Sequence, residues 1–316
     1  MRELGKLLTK TGIKRKYIFL LILRTPFDAL RTWMLANLLK SVFLCIEEGV
    51  LSHLVTVCLF YGICCFMLFA YNGTIWSIYA SFAVKTEAKL LYLMIEKILN
   101  MPLVRIRKDT KGEWLTRLNS DIQTAINVMN APGNMVHLTV ALLNTVLSSF
   151  LLLFESGLLF GVTWLCILPH LFINYQLVIK SVPAYKKEAQ QAMAENTAAL
   201  EPLITEAETI LIYEAEELVL RQYEKASRKL LRANLAMHLR QALSSSIFQL
   251  FGQGGYFLLL LIGYGLIYNE IMTLSDLLYC FQVRGAAFSG MFMFMNCRNI
   301  VKSNMVCVKR VNDTLA

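Results

Sequence analysis

Charge is scarce in this chain: Asp, Glu, Lys and Arg make up 17% of its 316 residues, against 56% hydrophobic ones. With so few charged side chains and a positive mean hydropathy, it makes a poor soluble globular protein. Chemistry-bearing clusters are also missing. The eight cysteines include no CxxC pair, and the four histidines, His53, His137, His170 and His238, stand at no metal-ligand spacing to one another or to acids. No metal site and no catalytic residue are therefore expected, which excludes a membrane-embedded enzyme. The cysteines, including the neighbours Cys64 and Cys65 on different faces of one helix, read as small apolar residues in a reducing or lipid environment.

What the chain has instead is six apolar runs. They centre on Thr32 to Ile46, Leu51 to Tyr71, Met135 to Phe154, Gly157 to Ile179, Ile247 to Tyr268 and Leu274 to Cys297, the first extended by Tyr17 to Leu23. A bilayer core about 30 Å thick needs about 20 residues of helix at about 1.5 Å each, and each run meets that length. Strands in lipid would leave backbone groups unsatisfied, so the expected fold is an all-α membrane protein of six transmembrane helices.

Lys and Arg accumulate on the cytoplasmic side of a membrane. The leader carries Arg2, Lys6, Lys10, Lys14, Arg15 and Lys16 against one acid, and both long connections are basic. The only charged residues of the short loops are acids: Glu47, Glu48, Glu155 and Glu270. They face outward, so the protein is expected to be an integral, multi-pass protein of the cell membrane with both termini cytoplasmic. The net charge of +9 is then topology, and nucleic acid is not an expected partner, whereas membrane lipids are. Residues 1–16 place Leu4, Leu7 and Leu8 between Arg2, Lys6 and Lys10 at helical spacing, an amphipathic segment suited to the inner interface.

Residues 17–316 form the membrane domain, with inward connections at about 83–134 and about 180–246. In the first, Lys85 to Asn100 stays helical in pattern, Pro102 interrupts it, and Thr110 with Glu113 offers a capping box for a returning helix. In the second, Ser181 to Leu203 descends, Glu208 to Tyr213 marks a tip, and Glu214 to Arg240 returns. Two helical hairpins thus project from one face and end in short turns that suit a soluble partner.

The residues along these hairpins resemble a known family. Met101-Pro102 followed by Gly112-Glu113-Trp114-Leu115-Thr116-Arg117-Leu118-Asn119-Ser120-Asp121 is similar to the first intracellular loop of ATP-binding cassette (ABC) exporters. Glu206, then Ile210-Leu211-Ile212-Tyr213-Glu214-Ala215-Glu216, with Arg221 and Tyr223, resembles their second loop. Met272-Thr273-Leu274-Ser275-Asp276-Leu277 is similar to the start of their sixth span, and Arg310 falls where a closing Arg lies.

The resemblance implies a domain-swapped dimer with a second transmembrane half, identical or different, which exchanges the fourth and fifth helices. It also implies that the two tips couple to nucleotide-binding domains: Leu103, Val104, Arg105, Ile106, Arg107 and Lys108 in the first, Glu208, Thr209, Ile210, Leu211, Ile212 and Tyr213 in the second. The P-loop pattern GxxxxGK[ST] that cradles phosphates is absent; Gly252-Gln253-Gly254-Gly255 lacks the Lys and reads as a close-packing site between helices. This chain is expected to bind no cofactor itself, ATP and magnesium belonging to a nucleotide-binding domain that is either a separate chain or a further part of the same product. The implied function is ATP-driven export of an amphipathic or anionic cargo, a peptide, lipid or small molecule. The alternative is a non-transporting sensor, immunity or assembly module that keeps the exporter fold.

Buried polar residues guide the search for a route, because lipid makes them expensive. Arg24, Asp28 and Arg31 share a stripe of the first span, with Pro26 bending it, and Asp28 can pair with either Arg. Lys40 lies nearer the outside, where it can snorkel. Arg284 and Arg298 share a helical face with Met291 and Met295, and Arg284 is the leading candidate for a cargo contact. A seam of Ser120, Gln123, Asn127, Asn130, Asn134, His137, Asn144 and Ser148 faces either a cavity or another helix. The expected cavity set is Arg31, Arg284, Arg298, Asn134, His137, Asn144, Met291 and Met295.

Overall fold

Lipid offers no partner to a backbone N–H or C=O, and a helix satisfies both internally, so apolar runs of this length become helices. The computed structural model describes residues 2–106, 111–130, 135–176 and 182–315, and every regular element among them is helical. In chain order these are α1 (Arg2–Lys10), α2 (Lys14–Arg24), α3 (Phe27–Glu47), α4 (Leu51–Leu99), α5 (Leu103–Ile106) and α6 (Lys111–Thr116). A π-helical turn (Arg117–Asp121) leads into α7 (Ile122–Asn130), followed by α8 (Met135–Glu155) and α9 (Gly157–Asn174). The chain continues through α10 (Val182–Thr205), α11 (Ala207–Ile212), α12 (Glu216–Tyr268) and α13 (Leu274–Thr314).

Six helical stretches are long and apolar enough to cross a bilayer, α2 and α3 together forming the first. Thr25 and Pro26 between them keep helical dihedrals, so the crossing continues through the proline instead of ending there. The helices α4, α12 and α13 have 49, 53 and 41 residues. At about 1.5 Å per residue they run about 60 to 80 Å, at least twice the hydrocarbon thickness. Within the apolar window of α4, 0% of the residues are buried inside the molecule, as suits a surface facing lipid or a partner. Tight turns reverse the chain at the short-loop end. Gly49 takes φ +72°, which lets Val50 donate back to the Cys45 carbonyl at 3.0 Å. Thr273 and Asp276 then form a capping box that starts α13.

The chain divides into two compact units, Met1–Thr163 with Tyr256–Ala316, and Trp164–Gly255. In the first, α13 packs along α8 and α3. Small residues allow the approach: a Cβ on Gly290 would meet Thr145 Oγ1 at 2.6 Å, and one on Gly263 would strike the Leu277 side chain. A Cβ on Gly254 would meet nothing within 4 Å, so the expected close packing at Gly252-Gln253-Gly254-Gly255 does not occur at that glycine.

The opposite end of this unit holds a second core. Leu4, Leu7 and Leu8 of α1 are buried with Leu90 and Met94 of α4, Ile122 and Met129 of α7, and Val301 and Val308 of α13. The apolar stripe of the leader is thus turned into protein, packed with residues of α4, α7 and α13. Lys6 donates to Glu3 at 2.8 Å, a bond that holds the Glu3 carboxyl below its ordinary range. A lowered carboxyl stabilises the folded form at neutral pH, and the contribution disappears as the pH falls through that lowered value. Leu7 is 0% exposed. Replacing it with Ala is expected to destabilise the chain by about 3 kcal/mol, read as a lower unfolding midpoint in detergent; an unchanged midpoint would show that α1 is not docked.

The second unit contains an antiparallel hairpin of α10 and α12. Tyr185 bonds Arg240, Ala189 and Ala192 pack on Ala233, and Glu195 pairs with Lys229, so numbers rise on one arm as they fall on the other. Alanines at the contact let the two backbones approach.

Candidate functional site

The second hairpin ends as its sequence requires. Thr205 closes α10, and α11 follows as a short helix. Glu214 adopts φ +51°, and the Ala215 N–H donates to the Ile210 carbonyl at 3.0 Å, which turns the chain into α12. Ile210 is buried within this tip, while Leu211, Ile212 and Tyr213 are 64%, 71% and 77% exposed. Glu208 and Thr209 are exposed as well. Three adjacent large apolar side chains are thus exposed together at a hairpin end, and while isolated exposed apolar residues are ordinary, a cluster is not.

The first tip is α5. Val104 is exposed and Ile106 half-buried, its carbonyl accepting from Trp114 Nε1 at 3.1 Å. Leu103 and Arg105 lie in the same turn. Arg107, Lys108 and the expected capping residue Thr110 fall outside the described residues. Arg117 covers the Trp114 ring at 4.7 Å. Further along, the π-helical turn places Asp121 inward. Its carboxylate is buried and receives Arg310 of α13 at 3.0 Å. On the same stretch of α13, Asn312 donates to the Glu3 carbonyl at 2.7 Å, and Lys10 donates to the Asn312 carbonyl at 3.1 Å. The returning arm of the first hairpin and α1 therefore both grip the last turns of α13.

The expected cavity residues do not share one environment. Arg284 is fully buried, its guanidinium 4.1 Å from the Tyr256 ring and 5.4 Å from that of Phe288. It packs α12 on α13 in this conformation and stands on no open wall. Met295 is buried, Met291 half-buried and Arg298 exposed, so the shared face divides between core and surface. The polar seam divides too. Ser120, Gln123 and Asn127 are exposed and Ser148 is buried. His137 is half-buried beside Trp76, with ring centroids 6.1 Å apart. Asn144 accepts from Thr32 at 3.4 Å, which is helix packing, and Asn134 lies outside the described residues. Arg31 is exposed and 3.9 Å from Asp28, which is equally 3.9 Å from Arg24.

Lys40 does not snorkel. It bridges Glu155 at 2.5 Å and Asp276 at 2.7 Å, joining α3 to the ends of α8 and α13, with Tyr279 stacked at 5.4 Å. In the sequence Glu155 marks only an outward loop, 115 residues from Lys40, and no periodicity links the two. Lys40→Met leaves two half-buried carboxylates facing each other and is expected to destabilise by about 2 kcal/mol. Neutralising both acids in the same variant (E155Q and D276N) should restore most of the loss in thermal unfolding. A single variant as stable as the wild type would contradict this role.

A model of the ABC transporter transmembrane region matches residues 16–290 of this chain. Compared with curated proteins, the chain matches none.

Proposed function

Because the chain belongs to the family of ABC transporter transmembrane regions, we propose that it is one transmembrane half of an ATP-driven exporter that moves an amphipathic or anionic cargo by alternating access. It is a multi-pass membrane protein and part of an ABC transporter. ATP and magnesium bind a nucleotide-binding partner domain, whose closure pulls on the hairpin tips. The observation that carries this reading is the apolar cluster of Leu211, Ile212 and Tyr213, exposed at the end of a rigid hairpin.

A second half completes the machine. The separate unit Trp164–Gly255 supports an exchange of helices between halves. Its charged arms leave Leu220, Leu231 and Leu235 exposed along one side of α12, an apolar stripe that a partner half would cover. The basic leader and the acidic short loops support cytoplasmic termini in the cell membrane.

The test is uptake of a fluorescent fatty-acyl anion into inverted membrane vesicles that contain this chain with its nucleotide-binding partner. ATP should drive uptake, and a non-hydrolysable analogue should arrest it after at most one turnover. ATP hydrolysis by the complex with no directional movement of any amphipathic probe would favour a sensor.

A further inference from the structure

A guanidinium without a hydrogen-bonding partner stands in the first crossing. Arg24 closes α2 on the stripe of Tyr17 and Leu20 and is 4% exposed; its Nε and Nη1 are buried with no hydrogen-bond acceptor. Asp28 approaches only to 3.9 Å, beyond hydrogen-bond reach, and is shared with Arg31 at the same distance. Aromatic rings cover the guanidinium faces, Phe27 at 4.7 Å and Trp76 at 5.8 Å. Rings satisfy the face of such a cation and leave the N–H groups on its edge unused. On α4, one turn beyond Trp76, the Tyr79 hydroxyl is also buried and unpartnered, within electrostatic reach of Arg24. The Tyr71 hydroxyl is already committed to the Leu23 carbonyl at 2.5 Å.

Every unused group here except the Asn72 carbonyl oxygen is a donor. Leu20, Ile75, Val136 and Val140 form the apolar floor beside them. A buried guanidinium with two N–H groups unsatisfied and its carboxylate neighbour held at 3.9 Å is expensive, so its presence argues for a ligand that completes it. Cations are excluded by the guanidinium, and neutral polar ligands would leave the charge uncompensated. An oxyanion fits, because either fork of an arginine receives a carboxylate or phosphate in two parallel bonds. Asp28 does not cancel the attraction, since residues 14–31 hold five cations against that single acid. Pro26 lies two residues away, and Trp76 at the rim is half-exposed.

We propose that Arg24 and Tyr79, walled by Phe27 and Trp76, bind the phosphate or carboxylate of an amphipathic molecule between α2, α4 and α8. The site's role in carrying cargo rests on the exporter reading, whereas the binding itself stands on this geometry alone.

The experiment uses the full chain in nanodiscs of phosphatidylcholine, titrated with dodecyl phosphate, with dodecyl glucoside of the same tail, and with inorganic phosphate. Dodecyl phosphate should raise the unfolding midpoint saturably and outbind the glucoside, and Arg24→Leu should weaken it at least about tenfold, the equivalent of one charged hydrogen bond. Without ligand, Arg24→Leu should unfold at a higher temperature than the wild type, because it removes a buried cation whose hydrogen bonds are unmade and leaves Asp28 to Arg31. A second arm adds phosphatidylglycerol to the disc. If that lipid displaces dodecyl phosphate, the site takes a bilayer lipid; if it does not, the site takes an amphiphile in transit. Binding of inorganic phosphate alone would identify a free-anion site and overturn the requirement for a tail. Should Arg24→Leu fail to fold, Tyr79→Phe carries the test, with an expected loss of about fivefold. Equal affinity in wild type and variant, or equal binding of the glucoside, overturns the proposal. Neither result touches ATP-driven transport, which is measured separately in vesicles.

Discussion

Replacing Leu211, Ile212 and Tyr213 together with Ala is expected to reduce ATP-driven transport at least about tenfold while leaving the unfolding midpoint of the chain unchanged. The three side chains are 64%, 71% and 77% exposed, so their loss removes little from the folded chain itself. In the proposed function they supply contact with a partner, and a few central apolar residues carry most of the energy of such an interface, about 2 kcal/mol or more each. ATP turnover by the partner should persist and lose its response to cargo. Ile210 behaves differently, because it is buried within the tip. Its replacement by Ala loosens α11 and should lower stability and coupling together. Normal transport by the triple variant would remove the second tip from the coupling path.

The second large effect concerns Arg310. Its partner Asp121 is 2% exposed at the side chain, whereas Arg310 itself is 47% exposed, and the two are 3.0 Å apart. One oxygen of Asp121 already lacks a hydrogen-bond partner. Arg310→Met strands a buried carboxylate and is expected to destabilise by about 3 kcal/mol. Asp121→Asn frees an arginine that water can still reach, so its loss should be well under half as large. Combining both substitutions should recover much of the Arg310→Met loss, a coupling that a double-mutant cycle in thermal unfolding measures directly. Additive effects would mean that the pair does not hold the first hairpin to α13. Because the same turns of α13 are also gripped by α1 through Asn312, the double variant should still transport if stability alone is at stake. A double variant that folds normally and has lost transport would assign the pair a part in passing motion as well.

Much of this architecture is legible in the sequence because lipid imposes a single rule, that every backbone group be paired within the helix. Length and apolarity therefore announce the crossings, and Pro102 and the Glu208–Tyr213 segment announce the tips. The partners of polar side chains are less legible. Lys40 meets Glu155 and Asp276 across sequence separations that no periodicity links, and Arg284 is buried under Tyr256, a residue hidden in an apolar run. Arg24 is visible in the sequence as one of three charges on a stripe with Asp28 and Arg31, but Trp76 and Tyr79 carry no signal of their own, since aromatic residues are common in any crossing. The leader shows the same limit. Its amphipathic pattern fixes which side of α1 is buried, and either lipid or protein could bury it; the apolar residues of α4, α7 and α13 that meet it are far away in sequence.

The central claim is that the exposed hairpin tips seat a nucleotide-binding domain. A photo-crosslinking residue placed at Leu211 or Ile212 in membranes containing the complete transporter tests it directly, with the same probe at Glu48 on a short loop as the control. The account predicts a crosslinked product from the tip whose partner peptides, identified by mass spectrometry, belong to a protein region with a P-loop, and no such product from Glu48. Crosslinks from the tip only to lipid, or equally from both positions, would contradict it.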